Sequence, residues 1–340
     1  MYKDHKIVCV TPAGRRRYMR LLVPQVLASP LVDRYDIWVN TTEPRDLAFF
    51  DTLAKRDPRV RLVQQPDGQV PTIRSIGGFH RTAMDDDTIY IRFDDDIVWI
   101  QPDFFERHLE FRISNPQYLL TMPLIVNNSI CSALLLHTGK IGSSRPLKFE
   151  VFGRIGFFDG MFAEALHRQF LNLIEAGEWQ KLRGGSYPIA VSHFSINCIC
   201  WFGKTLAAYP DLITSDEEVD WSVRGSVKTG LANCFATDAM VAHYAFYPQR
   251  SYLERSDILE EYARLVGAQP AATSMLDNLS RVIADIEREL PQAGRDGGEV
   301  PAPITPRLKL RDWWRNHRQT RPEVWIADSN DGGHGQVHRR

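Results

Sequence analysis

Long apolar runs, an excess of charge of one sign and paired cysteines are all missing from this sequence of 340 residues. Each absence removes a class of function. The first apolar run, residues 7–10, is too brief for the core of a signal peptide, and no stretch approaches the length that spans a bilayer. The expectation is a cytoplasmic protein, soluble or peripheral at the inner face of a membrane. Lys and Arg total 41 against 42 Asp and Glu, a net charge of -1. Without the basic excess that offsets phosphates, no nucleic-acid partner is expected. The five cysteines, Cys9, Cys131, Cys198, Cys200 and Cys234, are odd in number and scattered, which is no disulfide framework and suits a reducing compartment. Cys198 and Cys200 share one face of a strand, but no second pair completes a zinc site. Dinucleotide-binding Gly-X-Gly-X-X-Gly, a phosphate-binding Walker loop and a serine elbow are absent too, so dehydrogenase, phosphate-loop and hydrolase readings lack their marks.

What is present is enough apolar sequence, 44%, to bury a full core. Its periodicity alternates. Strands are expected at 7–11, 35–40, 60–64 and 88–93, with helices at 16–27 and 44–55 and a glycine-interrupted one at 73–84. This alternation implies an α/β fold with a mainly parallel sheet flanked by helices. Further on, helices are expected at 102–114 and 159–176, strands at 118–126, 191–202 and 239–246, and amphipathic helices at 251–266 and 274–290. Residues 292–306 read as a linker, 308–318 as a basic aromatic stretch, and 328–340 as a polar tail.

Three consecutive carboxylates, Asp94, Asp95 and Asp96, directly follow the fourth strand. In a parallel sheet ligands gather at the carboxyl ends of strands. Clustered carboxylates there favour a hard divalent ion, which can neutralise charge on a diphosphate. An extended chain would put Asp94 and Asp96 on one side and Asp95 on the other. The upstream Asp85, Asp86 and Asp87 precede the strand and read as a solvated loop.

This arrangement resembles the Asp-X-Asp motif of GT-A fold glycosyltransferases, particularly those similar to glycosyltransferase family 2, over roughly residues 6–250. The resemblance implies a GT-A domain at 1–250, a C-terminal helical extension at 251–290, and a terminal region at 291–340. It implies Mn²⁺ or Mg²⁺ held by Asp96 and Asp94, with His243 of the Val241-Ala242-His243-Tyr244 run as a late ligand. It implies a hexosyltransferase-like enzyme that uses a UDP- or GDP-linked sugar and a glycan or lipid-linked acceptor, in surface polysaccharide or glycan assembly. Thr11, Asn40, Glu43, Asp67, Arg74, Arg81, Asp94 and Asp95 are the implied donor contacts. Inverting members place a catalytic carboxylate late in the order, which points to Asp216, Glu217 and Glu218, with Glu217 preferred. Ser215 and Glu218 also fit a helix capping box. Peripheral membrane contact through 308–318, with Trp313 and Trp314 at the interface, would suit a lipid-linked acceptor. The Gln-X-X-Arg-Trp motif of processive synthases is missing. A sugar-phosphate nucleotidyltransferase, and an inactive GT-A-fold interaction protein, are the rival readings.

Overall fold

The expected alternation builds a sheet, and its first four strands, parallel neighbours, aim their carboxyl ends at one edge. The computed structural model describes residues 1–69, 71–214, 216–290 and 321–327. Ser215, the linker, the 308–318 stretch and the polar tail lie outside them. The chain runs β1 (Lys6–Ala13), α1 (Arg16–Ala28), β2 (Arg34–Val39), α2 (Pro44–Arg56), β3 (Val60–Val63), a 3₁₀ segment (Ile73–Thr82), β4 (Thr88–Phe93) and β5 (Ile97–Ile100). It continues through α3 (Phe104–Ser114), β6 (Thr121–Val126), α4 (Ser129–His137), β7 (Ile141–Ser143), α5 (Gly160–Glu175), β8 (Ser186–Ile189), β9 (Cys198–Phe202) and α6 (Gly203–Ala208). Then come α7 (Glu217–Val219), a π turn (Asp220–Arg224), α8 (Gly225–Thr229), β10 (Asn233–His243), α9 (Tyr247–Leu253), α10 (Ile258–Gly267), α11 (Pro270–Glu289) and β11 (Val324–Ile326).

The main sheet has the order β3-β2-β1-β4-β9-β6-β10-β5, with β8 also on β10. β3, β2, β1 and β4 are parallel neighbours, as are β6 and β10, while β9, β5 and β8 run against them. The sheet is therefore mixed and mainly parallel, as expected. β1 and β4 are buried along almost their whole length, as strands in the middle of a covered sheet are. β7 and β11 form a separate two-stranded sheet. The C-terminal helices are not a detached appendage: the α11 stripe of Ala272, Leu276, Leu279, Ile283 and Ile286 shares one core with the sheet, and α11 packs on α1.

Several expected elements change. The glycine-interrupted helix is a 3₁₀ segment, held at its start by reciprocal Thr72 and Ser75 hydrogen bonds. Its Gly77 allows a close crossing, since a Cβ there would lie 2.2 Å from the Thr214 carbonyl oxygen. Only Cys198–Phe202 of the expected 191–202 strand pairs in the sheet. Upstream, the carbonyls of Ser195 and Asn197 accept hydrogen bonds from Asn128 Nδ2 and the Asp94 amide, so this backbone serves the strand-end edge. β10 starts before 239 because its register shifts between Ala236 and Met240, where Thr237 and Asp238 break the apolar pattern. The expected 251–266 helix is two, α9 and α10, parted where Ser256 Oγ donates to Leu253 O. Short elements such as β5, β7 and α4 were not anticipated.

Two buried histidines give the fold a pH limit. His108 stacks on Phe104, and burial, with Arg112 beside it, pushes its pKa from 6.5 to about 3. His167 lies between Tyr262 Oη and the Tyr244 carbonyl at 2.9 Å each, and burial lowers it to about 4. Both folded values lie below the unfolded one, so the unfolded chain takes up protons first as pH falls and stability drops from about pH 6.5 toward 4. Going from pH 7.5 to 5 should cost about 4 kcal/mol for the two together. Denaturant midpoints across that range will show it, and His108→Gln should make the slope shallower.

Candidate active site

The three aspartates project from a turn rather than an extended strand. Asp94 O accepts the Ile97 amide at 3.2 Å, reversing the chain from β4 into β5. The turn sends the carboxylates in different directions. Asp95 is buried and faces β1, where its Oδ2 accepts the Gly14 amide at 3.0 Å and its Oδ1 accepts Arg15 Nε at 2.9 Å. Asp94 accepts Asn197 Nδ2 at 2.9 Å and lies 3.0 Å from Arg92 Nη2. Asp96 faces β10, with Oδ2 3.0 Å from Arg15 and 3.5 Å from Arg250, and Oδ1 3.5 Å from His243 Nε2. Asp94, Asp96 and His243 each offer a ligand atom, all within 4.8 Å of one another.

The hydrogen bonds of His243 define its tautomer. Nδ1 lies 3.1 Å from the carbonyl of Asn127, which can only accept, so Nδ1 carries the proton. That carbonyl is fixed: Asn127 sits in the left-handed region at φ 61°, and its Nδ2 donates to Tyr244 O and Gln249 Oε1. Burial keeps the ring neutral by lowering its pKa. Nε2 therefore turns a lone pair toward Asp96, one acceptor facing another, an arrangement that a cation between them relieves. Burial, against the opposing pull of Arg92, pushes Asp94 up to about 7. Asp96 is buried too, yet Arg15 and Arg250 hold it below the ordinary carboxylate range. Asp94, Asp95, Asp96 and Glu217 outnumber the guanidinium groups of Arg15, Arg92 and Arg250 by one. The donor set and this negative excess fit a divalent ion.

The acidic segment divides its roles. Glu217 points inward, with Oε1 2.7 Å from Arg92 Nη2 and Oε2 2.8 Å from His80 Nε2. Burial opposes its charge, but Arg92 and His80 outweigh it and its pKa falls. Both of its oxygens are engaged below the surface, so the expected preference for Glu217 as a base meets a carboxylate built to hold structure. Asp216 is exposed and caps α7, accepting the Val219 amide at 3.2 Å. Glu218 is half-buried and lies 2.9 Å from His193 Nε2, and their hydrogen bond raises the His193 pKa.

The remaining expected donor contacts scatter around the ends of β1, β2 and β3. Thr11 is not brought to the pocket: it is fully buried and its hydroxyl pairs with Tyr35 Oη at 2.9 Å. Asn40 joins the 3₁₀ segment through Thr72 O and Ser75 Oγ. Glu43 is buried at the start of α2. Asp67 and Arg81 are exposed and paired with each other, and Arg74 is exposed nearby. A cavity of about 370 Å³ opens between Val39, Thr41, Leu47, Gln64, Gln65 and Gly68. Arg92, Asn127, Asn197, His80 and Arg250 were not anticipated. Only Arg92 carried a sequence signal, as the one charge inside the otherwise apolar Thr88–Phe93 strand.

No family model and no curated protein matches the chain. Among solved structures it is similar to glucosyl-3-phosphoglycerate synthase from Mycobacterium tuberculosis in complex with Mn²⁺, UDP-glucose and phosphoglyceric acid (12% identity, 77% of this chain and 80% of that one, TM-score 0.43). It is also similar to a mannosyltransferase from Pyrobaculum calidifontis in complex with GDP-mannose and Mn²⁺ (10%, 84% and 76%, TM-score 0.45). A third is a CMP:2-keto-3-deoxy-manno-octonic acid synthetase complexed with CTP (13%, 75% and 98%, TM-score 0.41). None of these likenesses assigns a role to a residue of this chain; what the pocket can do follows from its own side chains.

The Arg92–Glu217 pair makes a direct prediction. Arg92→Met leaves the Glu217 charge buried beside His80 and should destabilise the fold by about 3–5 kcal/mol. Adding Glu217→Gln should recover much of that loss, a non-additivity that denaturant unfolding of the two single variants and the double variant will measure.

Proposed function

We propose that the chain is a metal-dependent glycosyltransferase, moving a sugar from a UDP- or GDP-linked donor to an acceptor hydroxyl with inversion. The observation that carries this reading is the convergence of Asp94, Asp96 and the Nε2 lone pair of His243 at the carboxyl edge of the sheet, beside Arg15 and Arg250. The cavity at the ends of β2 and β3 is lined by Val39 and Thr41, either side of Asn40, and by Gly68, next to Asp67, which supports a nucleoside site there, with Arg81 paired to Asp67. Mn²⁺ or Mg²⁺ held by Asp94, Asp96 and His243 would supply charge neutralisation for the departing diphosphate.

The chain's own groups do the rest. The Gly14 amide and the Arg15 side chain are preset by Asp95, and Arg15 and Arg250 can turn their planar forks from Asp96 to phosphate oxygens. An alcohol is a poor nucleophile at neutral pH, so the acceptor needs a base. Of the three carboxylates of the acidic segment, Glu218 suits that task best: it is neither sealed under the surface like Glu217 nor committed to a cap like Asp216. As the bond from the acceptor oxygen to the anomeric carbon forms, the sugar–phosphate bond breaks, the proton passes to Glu218, and the nucleoside diphosphate leaves.

Calorimetry with UDP and GDP, in Mn²⁺ and in chelator, is the test. Binding should require the ion and vanish in Asp96→Ala. Protonation of Asp94, with its pKa of about 7, competes with the ion, so affinity for Mn²⁺ should fall as pH drops below 7, by up to about tenfold per unit. Glu218→Gln should keep nucleotide binding while losing about 10²–10⁴ in kcat. No nucleotide binding under either condition sinks the reading, and release of pyrophosphate in place of a nucleoside diphosphate would mean a nucleotidyltransferase.

A further inference from the structure

Two adjacent asparagines just after β6, Asn127 and Asn128, reach both sides of the candidate metal centre, and both are fully buried. Asn127 turns the chain in the left-handed region, which asparagine tolerates better than most residues. On one side its carbonyl accepts from His243 Nδ1. On the other, Asn128 starts a line of side-chain amides that ends at Asp94. Asn128 Oδ1 accepts the amides of Ile130 and Cys131 at 3.0 and 3.1 Å, capping α4. Asn128 Nδ2 donates to Asn197 Oδ1 at 2.9 Å and to Ser195 O at 3.2 Å. Asn197 Nδ2 then donates to Asp94 Oδ2 at 2.9 Å. The Asp94 amide returns a bond to Asn197 O at 2.9 Å, so the two residues are joined at main chain and side chain.

The line has a direction. A side-chain amide fits its slot either way round, since its oxygen and nitrogen have nearly the same shape, but only the nitrogen donates. The amides at the start of α4 are donors only, so Asn128 must present its oxygen to them and its nitrogen to Asn197. Asn197 must then turn its oxygen to Asn128 and its nitrogen to Asp94. Reversed, Asn197 would set an oxygen against the carboxylate, one acceptor facing another. A donated hydrogen bond orients a carboxylate and stabilises its negative charge, as the outer partners of metal ligands commonly do. We infer that Asn128 is a positioning residue for the ion, acting on Asp94 through Asn197, while its neighbour Asn127 keeps His243 Nε2 bare. The start of α4 thereby sets the polarity around a ligand on another element, two side chains away. This inference rests on the reading of Asp94, Asp96 and His243 as ligands of a divalent ion.

Mn²⁺ titration of the full chain at neutral pH, followed by electron paramagnetic resonance, tests the inference. Asn197→Ala removes the donor to Asp94 and should weaken Mn²⁺ binding about tenfold or more. Asn128→Ser keeps a good helix cap but ends the line, and should weaken binding by a similar factor. The double variant should lose little more than either single one, because both changes break the same line. Ser129→Ala serves as the control: it removes a hydroxyl bond to Glu150 O at the same helix start and touches neither ligand. Its Mn²⁺ affinity should stay within about twofold of the parent. Because serine caps α4, Asn128→Ser decides the question even where Asn197→Ala proves too unstable to fold. Unchanged affinity in Asn128→Ser overturns the inference. So do additive losses in the double variant, or an equal loss in Ser129→Ala, which would mean a general loosening of α4. A parent that binds no Mn²⁺ is a different failure, since it removes the metal reading itself and this inference with it.

Discussion

One guanidinium, buried in the middle of the sheet, sets the geometry of the candidate site. Arg92 is 3% exposed in a strand otherwise made of apolar and neutral residues. It lies 2.7 Å from Glu217, 3.0 Å from Asp94 and 2.6 Å from the Ile196 carbonyl. These partners belong to three separate stretches: the acidic segment, the aspartate turn and the irregular run before β9. Burying such a charge is unfavourable until its partners saturate it, and each partner must then stay in place. A lysine could not take the role, because the planar fork of arginine makes several directed contacts at once. The ion pair adds little to stability compared with an apolar replacement; its effect is to fix how three chain segments meet.

A second tie works the same way from the other side. Asp95 accepts from the Gly14 amide and the Arg15 side chain, joining the loop after β1 to the turn after β4. The aspartates therefore form no uniform acidic patch. Asp95 is a strut between adjacent parallel strands, while Asp94 and Asp96 face each other with His243 nearby. Proton affinity follows the same division. Asp94 has one arginine beside it and burial raises it to about 7, whereas Asp96, beside Arg15 and Arg250, is held low.

How much of this was legible depended on whether a feature is local. The alternation of β1, α1, β2, α2 and β3 is written in apolar periodicity, and Pro44 marks the start of α2. The position of the aspartates at a strand end followed from the same pattern. His243 stood out as a polar residue in a short apolar run. The partners that give these residues their character were not legible. Asn127 meets His243 across 116 positions, Glu217 meets Arg92 across 125, and Arg250 meets Asp96 across 154. No spacing rule links residues that far apart. The expected 191–202 strand failed for a related reason: its apolar composition is compatible with pairing, but its carbonyls are taken by Asn128 and Asp94 from other elements.

The acidic segment shows why the identity of a catalytic carboxylate cannot be read from a run of them. Successive residues on a helical turn point about 100° apart, so Glu217 and Glu218 cannot face the same surroundings. Thr214 approaches Gly77 closely enough to exclude a side chain there, which presses the segment onto the 3₁₀ run and turns Glu217 down toward His80 and Arg92. Once Glu217 is committed to the interior, the helical rotation sends Glu218 to the surface, where it meets His193. Asp216, one residue earlier, is left at the start of the turn, where its carboxylate caps the free amide of Val219. The division into anchor, cap and open carboxylate is thus a geometric consequence of a single buried contact. It leaves Glu218 half-buried beside His193.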